Sequence, residues 1–221
     1  MSLPPNPTIA AVPDSIDARL LVELTSHATD LSEAAHALGL ALDAGEGSEL
    51  WMPLTMHAVT AYSRPFAVSK ARSRLDTMDK FPGVPTGLKP VHDMVRKYRN
   101  TTVAHSQSDL VLPIALALLD DRGAVQDVIG LSLIHTMPLA VAEQFAELVD
   151  AVETLVEDAT RPVVDRLREQ LSTVASAIVA EWPKPEVIAA EDHEFSGARA
   201  RTQRPQFTAY WRLGTERPES L

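Results

Sequence analysis

The sequence predicts a mainly α-helical protein: a bundle of about four long helices with one β-hairpin inserted among them. Three observations carry this. Apolar residues recur every three or four positions over several long stretches, the spacing of helices packed on a core. Two runs rich in Val, Ile and Leu, Leu110 to Leu119 and Val125 to Ile134, break that period and flank the turn sequence Asp120–Asp121–Arg122–Gly123. Proline and glycine punctuate the boundaries between these stretches.

Residues 1–13 carry Pro4, Pro5, Pro7 and Pro13 and read as a flexible lead. Asp14 or Ser15 can cap the first helix, with Asp17 near its positive end. Ile16, Leu20, Leu24, Leu31, Ala35, Leu38 and Leu42 form its stripe, and Gly45, Gly47 and Ser48 end it. A second helix is expected from about Ser48 to Ser73, with Trp51, Leu54, Ala58, Ala61 and Tyr62 inward and Pro65 kinking or restarting it. Asp79 to Pro85 reads as a loop. Thr86 or Gly87 opens a third helix whose face is Leu88, Val91, Val95, Tyr98 and Thr102, with Pro90 tolerated in its first turn. The hairpin follows, a buried helix over Leu110–Leu119 being the competing reading because Ala115 to Leu118 favour helices. Thr136 can cap a last long helix carrying Phe145, Leu148, Val152, Leu155, Ala159, Val163, Leu167, Leu171, Val174 and Ile178. Pro162 should bend or split it, and Pro183 and Pro185 stop it. The domain is therefore placed at residues 14–182, followed by a polar, basic tail over 183–221 that includes Tyr210 and Trp211.

Composition narrows the chemistry. The 221 residues contain no cysteine, which removes disulfides, thiolate metal sites and cysteine nucleophiles. No signal peptide is legible, and no apolar run is long enough to span a bilayer, so a cytoplasmic location is expected. The formal charge of −10 opposes broad binding to polyanions, leaving any RNA contact to a local basic patch such as Lys89, Arg96, Lys97 and Arg99. His27, His36, His57 and His135 lack metal-ligand spacing, so no metal and no cofactor is expected, and each reads as a surface or satisfied core histidine. Gly45–Glu46–Gly47–Ser48 has an acid where a phosphate loop needs none, and no serine sits in a nucleophile elbow.

The informative segment is His92 to Ser106. His92, Arg96, Arg99 and Val103 follow a stripe displaced from the apolar one, which should meet solvent or a partner. Arg99 and His105 are six positions apart, roughly 120° apart on an ideal helix, so they meet only if the helix ends near Thr102 or a second subunit supplies its own pair. This segment resembles the HEPN superfamily, helical bundles that include many prokaryotic RNases of toxin and phage-defence systems. The family mark is an Arg, a polar residue, and a His a few positions on; Arg99, Asn100 and His105 match it, in the setting Ala104–His105–Ser106. The close overlap covers about fifteen residues, with looser agreement of the helical pattern from about residue 15 to 182. The resemblance implies metal-independent RNA cleavage at a homodimer interface, with His105 as acid and base, Arg99 as phosphate clamp and Asn100 as orienter. His92, Arg96, Lys97 and Arg64 are the accompanying substrate-binding candidates. The alternative is a non-catalytic helical binding module, as in other members, with a role related to phage or phage defence.

Overall fold

A computed structural model describes residues 9–79, 81–105 and 107–185. Its elements are α1 (Ile16–Ala44), α2 (Trp51–Ser63), α3 (Lys89–Tyr98), β1 (Val111–Leu119), β2 (Val125–Ile134), α4 (Leu139–Ser172) and the short α5 (Ser176–Ala180). The mainly α class with an inserted hairpin is therefore observed. The chain divides into two compact units. One holds residues 9–24, 68–73 and 160–185, the other residues 25–67 and 74–159.

In the first unit, the Ser15 hydroxyl accepts the Ala18 N–H at 3.1 Å and caps α1. The Arg166 guanidinium grips both oxygens of Asp17, at 2.6 and 3.1 Å, and holds that carboxyl below its ordinary pKa. In the described part of the lead, Ala11 N–H donates to the Pro183 carbonyl at 2.7 Å, and Ala11 is buried. Residues 1–8 and 186–221, which include the tail aromatics Tyr210 and Trp211, lie outside the described residues.

The second unit holds most of the core: Leu31, Leu38, Trp51, Tyr62, Phe66, Leu75, Val95, Phe145, Leu148 and Val152 are all buried. Trp51 anchors it, donating from Nε1 to the Met137 carbonyl at 2.7 Å. Tyr62 meets Phe145 edge-on at 5.3 Å between ring centroids and lies the same distance from Phe66.

Several features differ from the sequence reading. The helix expected to run to Ser73 stops at Ser63, where Pro65 restarts the chain as a single 3-10 turn, Arg64–Phe66. The third helix begins as a 3-10 turn at Thr86–Leu88 and ends at Tyr98, followed by a π-turn over Arg99–Val103. Pro162 does not split α4, which runs unbroken through it. Pro162 is on an exposed side of the helix, where water can serve the carbonyl its missing N–H leaves open. The apolar stripe instead ends sooner than expected: α4 stops at Ser172, and Ile178 in α5 is exposed.

The hairpin turn follows the residues that suggested it. Asp120 Oδ1 accepts the N–H groups of Arg122 and Ala124, both at 2.8 Å, and Gly123 takes the left-handed φ of 78° that closes the turn. β1 and β2 pair antiparallel with a bulge at Leu118/Leu119, so the helical alternative for Leu110–Leu119 is excluded.

Candidate functional site

The motif occupies the end of α3 and the turn beyond it. Helix α3 is short because Pro90 starts it and the backbone widens at Arg99. There the Ala104 N–H reaches back five residues to the Arg99 carbonyl at 2.9 Å, rather than the four of an α-helix. Such single π-turns recur at functional sites because they re-aim the side chains that follow. The turn is secured by hydroxyls. Thr101 Oγ1 donates to the Lys97 carbonyl at 2.9 Å, Thr102 and Ser108 share a hydrogen bond of 2.7 Å between their hydroxyls, and Gln107 N–H donates to the Thr101 carbonyl at 2.6 Å.

On this turn the Arg99 guanidinium donates from Nη1 to Asn100 Oδ1 at 3.1 Å. Arg99 is half-buried, while Asn100 and His105 are exposed. The expected early end of the helix is thus present, and the hydrogen bond of Asn100 goes to the arginine. Within one chain, His105 makes no hydrogen bond to either Arg99 or Asn100.

The accompanying candidates separate. Lys97 is exposed beside the motif. Arg96 is half-buried and donates to the Phe66 carbonyl at 3.4 Å, which ties α3 to the turn after α2. Arg64 binds Glu33 at 2.6 Å and Asp30 at 3.3 Å, so its charge is engaged by acids. Glu33 also meets His57 Nε2 at 2.8 Å.

His92 departs most from expectation. It is only 4% exposed. Its Nδ1 lies 2.8 Å from the Tyr62 hydroxyl, and its ring packs edge-on to Phe66 at 4.6 Å and to Tyr62 at 5.8 Å. Burial, reinforced by the nearby Arg96 charge, pushes its pKa from 6.5 down to about 4. His92 is a neutral core residue that docks α3 on α2, not a substrate contact. The spacing held the signal: His92 lies four residues after Leu88 and three before Val95, on the inward face.

A groove of about 780 Å³ opens on the other side of the same turn, lined by Tyr98, Thr101, Thr102, Ser108, His135 and Met137 among others. Sequence reasoning did not find it, because it joins the π-turn to the residues after β2, over thirty positions away. Lys97 is among its lining residues, whereas Arg99, Asn100 and His105 are not. The Tyr98 hydroxyl is buried with no hydrogen-bond partner, and burial raises its pKa.

No protein-family model, curated protein or solved structure matches this chain. The resemblance to the HEPN superfamily therefore rests on the motif residues and their setting. Among the described residues no three His, Asp or Glu side chains gather as a metal site, and no helix is long and apolar enough to cross a membrane.

Proposed function

We propose that the chain is a HEPN-like, metal-independent endoribonuclease whose site is completed by a second copy. The observation that carries this reading is the π-turn at the end of α3, which presents a half-buried arginine held by its exposed neighbour Asn100, with an exposed histidine two residues beyond the turn. RNA cleavage by its own 2′-hydroxyl needs a proton acceptor, a proton donor and a fixed cation. The 2′-oxygen attacks the adjacent phosphorus and the 5′-oxygen leaves, giving a 2′,3′-cyclic phosphate and a free 5′-hydroxyl. One neutral His105 takes the 2′-proton, and the partner's His105, protonated, gives one to the departing oxygen. Arg99 stays charged and offers a planar fork to the phosphorane, and Asn100 restricts where that fork points. Two copies are required because each chain supplies one imidazole. Lys97 extends the positive surface along the strand.

Purified protein should cleave a mixed-sequence single-stranded RNA in the presence of EDTA. His105→Ala should lower the rate by about 100-fold or more, with an unchanged helical circular-dichroism signal. Failure of the wild type to cleave, or equal activity in the folded variant, removes the proposal.

The second reading is a non-catalytic binding module related to phage or phage defence. It is favoured by the separation of the motif from the groove and by the large apolar surface left open on the hairpin. It calls for no cleavage and a stable complex.

A further inference from the structure

The hairpin stands apart from the rest of its unit. β1 and β2 pair with each other, and among the described residues no helix packs broadly on either face. An isolated two-stranded ribbon is marginal in water, and proteins seldom expose a contiguous apolar patch of this size without a use for it.

The register shows that the two faces differ. The pairs Val111↔Ile134, Pro113↔Ser132, Ala115↔Gly130 and Ala117↔Val128 make one face, built largely of small side chains. The pairs Leu112↔Leu133, Ile114↔Leu131, Leu116↔Ile129 and Leu118↔Asp127 make the other. That second face is seven leucines and isoleucines, with its single charge, Asp127, at the tip. Apart from the half-buried Ile114, its aliphatics are between 37% and 50% exposed. Neither strand has a lysine or arginine to guard it, although such residues are the usual protection of open sheets.

We propose that this leucine face is a self-association surface, stacked on the same face of a second copy as two layers. Two arguments select that occupant. The face presents on the order of 500 Å² of exposed surface, so two copies stacked on it bury about 1,000 Å², the size at which a specific interface begins. The face is also uniformly aliphatic and nearly uncharged, so it needs a counter-face of equal apolar extent, and a two-fold supplies one by symmetry. This surface is distinct from the motif turn, and the inference holds whether or not the chain cleaves RNA.

The test is sedimentation equilibrium of the full chain, wild type against Leu116→Lys/Ile129→Glu. The two substituted residues sit directly opposite each other, so the new charges pair across the ribbon and preserve its strands while making the face polar. The wild type should be dimeric with a dissociation constant of about micromolar or tighter. The double variant should weigh half as much, and Ala117→Lys on the small-residue face should leave the dimer intact. Should the double variant lose helical signal, Leu131→Cys provides a second route. The chain has no other cysteine, so a short bis-maleimide should link two copies covalently through that position. A wild type that stays monomeric at about 100 µM overturns the proposal. So does a dimer that survives in the folded double variant, or a chain that binds lipid vesicles through this face instead of a second copy.

Discussion

Acidification between pH 6.5 and 4 should destabilise this protein through one imidazole. His92 is buried against Tyr62 and Phe66, with its folded pKa pushed down from 6.5 to about 4. The groups facing it are Arg96 and Lys89, which lower that pKa further, and Asp93 and Asp76, which oppose them. Above pH 6.5 the ring is neutral in both folded and unfolded chains and contributes no pH dependence. Below 6.5 the unfolded chain binds a proton that the folded chain refuses, so stability falls with pH until the folded ring also titrates near 4. At 1.36 kcal/mol per pH unit, the loss across that window is at most about 3 kcal/mol. Urea unfolding of wild type and His92→Gln at pH 7, 5.5 and 4 measures it. The variant is less stable at pH 7 because it loses ring packing, but its proton-linked slope is gone. The gap between the two curves should therefore narrow by about 3 kcal/mol as pH falls. Parallel curves, or a His92 resonance that titrates near 6.5, would refute the burial argument.

Two further substitutions test the fold. Trp51→Phe removes the donor to the buried Met137 carbonyl and should cost about 1–3 kcal/mol in urea unfolding; a loss within error would mean that carbonyl finds another partner. Gly123→Ala meets no atom within 4 Å but forces a side chain into a φ of 78°, so it should cost about 1 kcal/mol, read as a lower melting temperature. An unchanged melting temperature would show that the turn tolerates another conformation.

Much of the fold was legible because its signals are local. Asp120 to Gly123 could be read as a turn because an aspartate that serves two backbone donors and a glycine with positive φ are chemical requirements of that geometry. Ser15 was legible as a cap for the same reason. Pro65 and Pro162 are alike in sequence yet differ in outcome, since the first is buried where the helix ends and the second faces water in mid-helix. Only tertiary context separates them. The spacing of His92 fits two stripes at once, an outward one through Arg96 and an inward one through Leu88 and Val95, and only its packing on Tyr62 and Phe66 decides between them. The π-turn at Arg99 had no sequence signature, and the groove beyond it joins segments that only the fold brings together.

The hairpin and the motif turn also constrain each other. If the leucine face pairs two copies, and if cleavage needs a histidine from each, then Leu116→Lys/Ile129→Glu should abolish cleavage although it touches neither Arg99 nor His105. A monomeric variant that still cleaves would leave the nuclease standing and remove the shared site, because one chain would then supply both proton transfers with a single imidazole. A monomeric variant that is inactive but recovers activity at high protein concentration would locate the second imidazole in the partner, since only association restores what dilution takes away. Mixing wild type with an excess of His105→Ala sharpens this. Each mixed dimer keeps one imidazole and lacks either the proton acceptor or the proton donor. Wild-type activity that falls as its chains are captured in mixed dimers requires a site built across the two-fold, and activity untouched by the excess removes it.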